Sequence, residues 1–368
     1  MEAGELRDGP LAGHSGGVAI AGTFDLPHPV EPARVEFRST GDALTSRVVT
    51  VGAHRRLVTT SANTLLDAGD GTLWKVYRHA SATTAREAQL LQHLTAADRL
   101  DTPHLHGRIA ISNGWREIPV AVRMSAIPGY RCLGTHLQAV ADGTDTGTGF
   151  RRTAGPHLSR LGALVADLHA ALARPGPQQP TPVDRPALHA ALRQLPDHAA
   201  RTLRIPAADT RWGTLAATAR DVLAAGRRPL AVGHGDLHLY QVGLSDAGIH
   251  VLDFEGETSR APGWPSRLLA VREYDLAGLF TSLLHLCVGS RRATEPTGGS
   301  LVDELYQIFL AAYLTRQRRT GAAAIDLDLV DLLRRYRLMS EACLGRRHRV
   351  VAGQARRALR QLLAADRF

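Results

Sequence analysis

The sequence is almost devoid of lysine. Lys75 is the only lysine among its 44 basic residues, and the other 43 are arginines. A bias of this size is most simply a genome-level preference for arginine wherever either residue will serve. Lysine presents a compact point charge on a flexible stem and arginine a wide planar fork, so the two are not interchangeable at a tight site. Lys75 is therefore either an ordinary surface residue or one that its site requires.

Other absences limit the class of protein. The three cysteines, Cys132, Cys287 and Cys343, are too far apart to form a metal-ligand or disulfide pattern. No apolar run approaches the ~20 residues that a membrane-spanning helix needs, and the N-terminus has no basic start followed by an apolar stretch. We therefore expect a cytoplasmic protein with no membrane partner, whose 368 residues form two domains or one large two-lobed one.

Aromatic side chains are also scarce. They make up 5% of the chain, which is too few for platforms on which nucleic-acid bases could stack. The net charge of +9 comes from scattered arginines, and their densest cluster lies on C-terminal helical sequence, where a solvated helix face is the simpler explanation. We therefore predict no nucleic-acid partner, although a positive field would favour anionic small molecules such as nucleotides.

The order of secondary-structure patterns predicts an α+β chain. The hairpin signal Asp70-Gly71 is followed by an alternating strand pattern at 73–77, which contains Lys75, and then by a helix pattern at 83–97. Later sequence is mainly helical, with a Gly/Thr-rich loop predicted at 141–156 and a helix at 157–173. The predicted parts are an N-terminal extension or reduced cap at 1–44, a small strand-rich lobe at 45–127 and a larger, mainly helical lobe at 128–368.

A compact island of strands and turns at 230–253 carries the most informative polar residues. Asp236 and Gln241 lie five residues apart on one predicted loop, and Asp253 follows Asp236 by 17 residues at the end of a predicted hairpin. Because a hairpin returns the chain alongside itself, we expect these three side chains to form one polar cluster at the ends of apolar strands. The predicted strands are 230–232, 242–244 and 249–252.

Kinase-type phosphoryl transfer uses this set of side chains. One Asp on a loop accepts the proton of the attacking hydroxyl, and an amide five residues later and a second Asp hold Mg²⁺ over the phosphates. A lysine on an early strand holds the α- and β-phosphates, and a glutamate on the next helix holds the lysine. All five residue types occur here in that chain order: Lys75, Glu87, Asp236, Gln241 and Asp253.

The same segments resemble a known family. The run H-G-D-L-H-L-Y-Q at 234–241, with D-F-E downstream, resembles the aminoglycoside phosphotransferase and choline kinase superfamily. The glutamine that ends this run, together with L-D-F-E-G-E at 252–257, looks like the actinobacterial maltokinases and the related glucosamine kinases. S-A-N-T at 61–64 is similar to their phosphate-covering turn, and R-E-Y-D-L-A-G at 272–278 to one of their helix starts. The resemblance covers roughly residues 57–280.

The resemblance implies a bilobal protein-kinase-like fold and an ATP- and Mg²⁺-dependent phosphotransferase. It makes Asp236 the base that orients the hydroxyl of the acceptor substrate, and it makes Gln241, Asp253 and Glu255 candidate Mg²⁺ ligands. Nucleotide contacts are implied at the lysine and its helix glutamate, at the phosphate-covering turn and at the hinge between the lobes. These residues are Lys75, Glu87, Ser61, Asn63, Thr64, Met124 and Ala126.

Other polar residues near this set receive structural roles. His234 is predicted to buttress the catalytic loop by hydrogen bonds, and Asp275 to cap its helix or brace that loop. His169 lies on an otherwise apolar helix face, where a core histidine with satisfied hydrogen bonds is the more common case.

The acceptor substrate is less constrained than the reaction. Only 74 residues precede Lys75, whereas maltokinases carry a long N-terminal cap, and the C-terminal helix has its Tyr and Glu at a different spacing from theirs. A sugar or aminosugar is the first expectation, and a related polyol, cyclitol or aminoglycoside would also fit. The candidate contacts to the acceptor substrate are His238, Glu257, Arg260, Glu273 and Tyr336.

Three alternative functions follow from the same residues. An aminoglycoside or cyclitol phosphotransferase, in antibiotic resistance or biosynthesis, would use the same chemistry, and an acidic substrate pocket would favour it. A protein kinase is disfavoured because the chain has no G-x-G-x-x-G loop and no A-P-E segment. A non-catalytic nucleotide-binding regulator would keep Lys75 and lose the base, whereas Asp236 is present.

Overall fold

The chain folds as two separate units that meet in sequence at Tyr130 and Arg131. The first consists of Met1–Asp98 and Thr102–Tyr130, and the second of Arg99–Asp101 and Arg131–Phe368. The structure is a computed structural model. It describes residues 21–26, 33–40, 43–50, 54–59, 63–80, 82–97, 101–112, 117–143, 147–175, 185–192, 195–203, 221–222, 230–256, 270–289, 298–343 and 349–364.

Strands and one helix make up the first unit where it is described. Its strands are β1 (Ala21–Leu26), β2 (Ala33–Thr40), β3 (Ala43–Thr50), β4 (Arg55–Thr59), β5 (Asn63–Asp67), β6 (Thr72–Tyr77), β7 (His79–Ala80), β8 (Leu105–Ser112) and β9 (Glu117–Ser125), and its helix is α1 (Ala82–Ala96). They form a four-stranded sheet in the order β1-β2-β3-β7 and a five-stranded sheet in the order β4-β5-β6-β9-β8. Neighbouring strands in both sheets are antiparallel.

The five-stranded sheet holds Lys75 in its central strand. The Asp70-Gly71 turn joins β5 to β6 as predicted, and Gly71 has a φ of 78°, which a residue with a side chain would adopt only at a cost. Lys75 is paired with Leu65 on one side and Val122 on the other, so its backbone is fixed from both directions. The Thr84 hydroxyl donates to the Pro119 carbonyl at 3.0 Å and ties α1 to β9.

The four-stranded sheet includes most of the described residues before 50. The boundary that the sequence predicts between 44 and 45 falls inside β3, whose residues pair with β2 over its whole length. The described part of the predicted extension at 1–44 is therefore continuous with the sheet that follows it. The predicted lobe boundary at 127 lies just before the Tyr130–Arg131 division.

Helices dominate the described part of the second unit. They are α2 (Leu133–Gly143), α3 (Gly147–Leu172), α4 (Arg185–Leu192), α5 (Leu195–Leu203), α6 (Arg272–Gly289), α7 (Gly298–Thr320), α8 (Leu327–Ala342) and α9 (Arg349–Ala364). The short strands β10 (Arg131–Cys132), β11 (Val242–Ser245) and β12 (Gly248–Val251) form a small antiparallel sheet. A 3₁₀ turn, Leu239–Gln241, leads into β11.

Two local predictions in this unit were wrong. The loop predicted at 141–156 is helical from Gly147 onward and contains Pro156 inside α3. Phe150 and Ala154 are buried there, and this tertiary packing outweighs the low helix propensity of the Gly/Thr-rich segment. The strand predicted at 230–232 is reduced to an isolated bridge between Val232 and Val271.

Membrane insertion was not expected from the sequence. Within the described residues, no helix combines the length and the apolar content that crossing a membrane needs.

The close approach of α3 and α7 gives a stability prediction. A Cβ on Gly162 would overlap the Phe309 carbonyl oxygen of α7 and lie 3.0 Å from the Tyr313 nitrogen, so Gly162→Ala must push the helices apart. We expect a loss of about 1–3 kcal/mol in the free energy of unfolding, measured with urea.

Gly155→Ala on the same helix is the matched control. Its Cβ would meet Ile308 Cδ1 at 3.5 Å, an ordinary contact, and the gain in helix propensity should leave stability unchanged or raise it by about 0.5–1 kcal/mol. Equal effects of the two substitutions would show that helix packing at Gly162 is not tight.

Candidate active site

A buried ion pair in the first unit joins the solitary lysine to helix α1. Lys75 Nζ lies 3.0 Å and 2.9 Å from the two carboxylate oxygens of Glu87, and the Tyr77 hydroxyl donates to Glu87 Oε2 at 2.5 Å. Lys75 is 5% exposed and Glu87 is 1% exposed. The structure therefore brings together the lysine and the helix glutamate that the sequence predicts as partners.

The other predicted nucleotide contacts of the first unit that the structure describes lie on two of its strands, β5 and β9, or just after β9. Asn63 and Thr64 begin β5, while Ser61 lies outside the described residues. Met124 lies in β9 and is buried. The Ala126 N–H donates to the Gly71 carbonyl at 2.9 Å. Of the Ala126 backbone, the carbonyl is therefore the group for which the predicted nucleotide contact stays a prediction.

In the second unit, His234 buttresses the loop that carries Asp236. Its side chain is fully buried, its Nε2 lies 2.7 Å from the Leu252 carbonyl, and its ring packs on Phe254 at 4.7 Å between centroids. The Asp236 N–H donates to His234 Nδ1 at 3.3 Å. Gly235 between them has a φ of 90°, a left-handed conformation that favours glycine.

Asp275 at the start of α6 braces the same loop. Its carboxylate accepts the His234 N–H at 2.6 Å and the Gly235 N–H at 2.7 Å, one on each oxygen. His169 Nε2 lies 2.9 Å from Asp275 Oδ2, and His169 Nδ1 lies 2.9 Å from the Tyr313 hydroxyl. The buried carboxylate thus satisfies two loop N–H groups and one core histidine.

The pKa of Asp275 reflects these partners. Burial alone would raise this pKa, but the hydrogen bond and charge interaction with His169, the charge interaction with His234 and the Gly235 N–H hold it below its ordinary value of 3.8. The ionised form is therefore the one that the loop requires.

Glycines let the loop and α6 approach closely. A Cβ on Gly233 would overlap Asp275 Oδ2, and one on Gly278 would overlap the Leu237 carbonyl oxygen. A side chain at Gly233 would displace the backbone before Asp236, and one at Gly278 would displace the backbone after it.

The β11–β12 hairpin places Gln241 beside Asp253, as its spacing predicts. Val242 pairs with Val251, and the Leu252 N–H donates to the Gln241 carbonyl at 2.9 Å. The Gln241 amide nitrogen donates to Asp253 Oδ2 at 3.0 Å. The two candidate metal ligands are therefore in direct contact within the second unit.

Asp253 and Glu255 have properties that suit a cation site. Asp253 has a φ of 63°, a conformation that non-glycine residues rarely hold and that clusters at functional sites. One carboxylate oxygen of Asp253 and one of buried Glu255 lie within 4.8 Å of each other. Two carboxylates and an amide oxygen are hard ligands of the kind that Mg²⁺ prefers, so these residues fit the ion.

The candidate base Asp236 is half-buried and lies beside an arginine and a histidine. Arg337 Nη2 donates to Oδ1 at 3.1 Å, and His238 Nε2 lies 3.8 Å from Oδ2. The sequence did not single out Arg337 for a role at the base. The signal available in the sequence was the four-residue spacing of Arg337 and Glu341. Residues at this spacing lie on one face of a helix, so the two side chains are expected to pair.

The structure places the described candidate contacts to the acceptor substrate in different surroundings, and His238 is the one of them that lies beside the candidate base. His238 lies next to Asp236 and caps the 3₁₀ turn by accepting the Tyr240 N–H. Glu273 is buried 3.6 Å from Arg272; burial raises its pKa, and Arg272 opposes the rise. Tyr336 lies inside a hydrophobic cluster with Leu188, and burial raises its pKa too. Glu257 and Arg260 lie outside the described residues.

Comparisons with known proteins establish the fold. No protein-family model matches the sequence. The glucosamine kinase of Mycolicibacterium smegmatis is 29% identical over 216 residues, which are 52% of this chain and 49% of that protein. The chain thus spans about half the length of the curated relative it matches.

Solved structures extend the likeness over most of the chain. A glucosamine kinase in complex with glucosamine, ADP and inorganic phosphate is 22% identical, with a TM-score of 0.65 over 85% of this chain and 80% of that one. The GDP complex of aminoglycoside 2′-phosphotransferase-IIIa is 15% identical, with a TM-score of 0.51 over 86% of this chain and 94% of that one. The predicted kinase-like α+β fold is confirmed, and so is the predicted resemblance to glucosamine kinase.

The brace at Asp275 gives a prediction about stability and pH. Asp275→Asn replaces one accepting oxygen by an NH₂ group, so a buried loop N–H loses its partner and the free energy of unfolding should fall by about 1–3 kcal/mol near neutral pH. Because the folded pKa of Asp275 is depressed, the stability that its ionised form contributes is present above the ordinary value of 3.8 and is lost as the pH falls through the folded pKa.

The deficit of the variant should therefore shrink below about pH 4 when urea unfolding is followed across pH. Asp246→Asn, at the exposed turn between β11 and β12, is the control and should change little. A deficit that stays constant down to low pH would contradict the ionised brace.

Proposed function

We propose that this chain is a small-molecule kinase that transfers the γ-phosphoryl group of ATP to a hydroxyl of a sugar or aminosugar. The observation that carries the proposal is the contact of Gln241 with Asp253 in the same unit as the braced loop of Asp236. The glucosamine kinase fold supports it, and the glucosamine and ADP bound in that relative make glucosamine the first substrate to test.

In the proposed reaction, the first unit binds the nucleotide phosphates. Glu87 holds the Lys75 ammonium in a fixed position, and the ammonium carries a compact positive charge to the α- and β-phosphates. Tyr77 fixes the glutamate from the other side. The protein forms no covalent bond to the substrates in this reaction. Its main contributions to the rate are therefore alignment of the reacting groups and neutralisation of charge.

In the second unit, Asp236 orients the hydroxyl of the acceptor substrate and takes its proton. A positioned base of this kind contributes about 10²–10⁴-fold in rate. Gln241, Asp253 and Glu255 would hold Mg²⁺, which neutralises the charge of the phosphates when bound. His234 and Asp275 contribute indirectly, because they fix the backbone from which Asp236 extends.

A screen of acceptor substrates with ADP release as the readout tests the proposal. We expect turnover with a sugar or aminosugar, and Asp236→Asn should lower kcat by about 10²-fold or more while ATP binding, followed by calorimetry, persists. Asp246→Asn, exposed at the hairpin turn, should match the wild type.

The screen includes aminoglycosides and cyclitols beside glucosamine, glucose and maltose. Turnover confined to aminoglycosides would replace the proposed substrate class and keep the reaction. Near-normal activity of the Asp236→Asn variant would show that Asp236 is not the base.

The solitary lysine gives a separate test. Lys75→Arg keeps the charge but replaces the compact ammonium that Glu87 holds with a wide planar guanidinium, and the two groups are not interchangeable at a tight site. A misplacement of about 1 Å can cost about 10²-fold, and we expect a loss of that order in kcat/KM for ATP.

Arg108→Lys on β8 is the converse control, since Arg108 is partly exposed and paired with Glu117 on the sheet surface. That variant should keep wild-type kinetics. If the Lys75→Arg variant has the kcat/KM for ATP of the wild type, arginine can serve at this position and the lysine has no required role at the phosphates.

A further inference from the structure

A line of polar side chains runs from helix α6 through α8 to the candidate base. His285 Nε2 lies 2.5 Å from Glu341 Oε2. Arg337 Nε donates to Glu341 Oε1 at 3.3 Å, and Arg337 Nη2 donates to Asp236 Oδ1 at 3.1 Å. Two helices therefore hold one guanidinium group against the loop that carries Asp236.

Arg337 is buried and constrained from several sides. It is 3% exposed, its guanidinium carbon lies 5.2 Å from the centre of the Tyr274 ring, and a Cβ on Gly278 would come within 2.9 Å of its Nη1. Burial alone would lower the pKa of Arg337, but Tyr274, Asp236 and Glu341 raise it, so the group stays charged. A buried charge is retained only where it is paired, and Asp236 is one of its two carboxylate partners.

Arg337 restrains the carboxylate of Asp236. Oδ1 accepts the hydrogen bond from Arg337 Nη2 at 3.1 Å, and His238 Nε2 lies 3.8 Å from Oδ2. The terminal torsion of an aspartate is intrinsically broad, so an unrestrained carboxylate would sample many orientations. A charge-assisted hydrogen bond from a fixed guanidinium restricts that rotation.

We propose that Arg337 is a positioning residue that holds the carboxylate of Asp236 in the orientation in which it meets the hydroxyl of the acceptor substrate. The inference rests on the proposed function, because it concerns how the base of that reaction is oriented. The hydroxyl proton moves to the Asp236 carboxylate as the hydroxyl oxygen bonds the γ-phosphorus of ATP. The bond from that phosphorus to the bridging oxygen breaks, and its electron pair leaves with ADP.

Glu341 and His285 act behind Arg337 in this proposal. Glu341 fixes the guanidinium plane through Nε, and His285 fixes Glu341. A lysine at 337 could place its single ammonium near Asp236 or near Glu341, and it lacks the fork that contacts both. The arginine is therefore required for its geometry as well as for its charge.

The kinetic test uses Arg337→Lys and Arg337→Gln. With the base present but poorly aimed, we expect Arg337→Gln to lower kcat by about 10²-fold, with KM for ATP changed by no more than about twofold. Arg337→Lys should recover part of kcat, because it restores the charge without the fork.

A control variant separates positioning from the loss of any arginine. Arg335→Gln removes a neighbouring arginine of α8, one that is paired with Asp331 at 2.6 Å, and should leave kcat unchanged. A fall in kcat for this control as large as that of Arg337→Gln would overturn the positioning role.

A double-mutant cycle tests the contact without any turnover. The effects on urea unfolding of Asp236→Asn, Arg337→Gln and the double variant should be non-additive, because both single changes remove the same hydrogen bond. Additive effects, or coupling together with an unchanged kcat for Arg337→Gln, would overturn the inference. A wild-type chain that phosphorylates no substrate would contradict the proposed function instead, and the cycle would then decide whether Arg337 holds the carboxylate.

Discussion

The buried carboxylate of Asp275 is the contact on which the arrangement of the second unit depends. It accepts two successive backbone N–H groups, those of His234 and Gly235, and it does so from the first turn of α6. Unpartnered N–H groups at this depth would be costly, so the loop has few alternatives to the observed path. That path fixes the position of Asp236 and delivers the chain to the hairpin that pairs Gln241 with Asp253.

Local sequence rules were enough to predict much of the site. Gln241 lies five residues after Asp236 and begins the chain's entry into a β-hairpin. Because a tight hairpin fixes the pairing of its two strands, the sequence places Asp253 beside Gln241. Alternation along β6 predicted that Lys75 lies on a strand. Because it is the only lysine beside 43 arginines, it was also a candidate for a required role. Its partner Glu87 followed from the position of the next helix.

Contacts between distant segments could not be predicted in the same way. Arg337 reaches Asp236 across 101 positions of sequence, and no periodicity reports such a pairing. Tyr336, its neighbour on α8, points into the hydrophobic cluster and not toward the base, because adjacent helix positions face about 100° apart. The helix at 147–156 was missed for a related reason, since burial of Phe150 against other segments outweighed local propensity.

The proposed role of the loop of Asp236 and its partners is transfer of a phosphoryl group from ATP to a hydroxyl. ³¹P NMR of ATP, Mg²⁺ and glucosamine incubated with the full chain observes this transfer itself, because the spectrum distinguishes a sugar phosphate from hydrolysed phosphate. We expect a phosphate monoester signal that grows in step with ADP and disappears when Asp236 is replaced by Asn. ADP accompanied only by inorganic phosphate with every sugar and aminosugar offered, or no reaction with any of them, would contradict it.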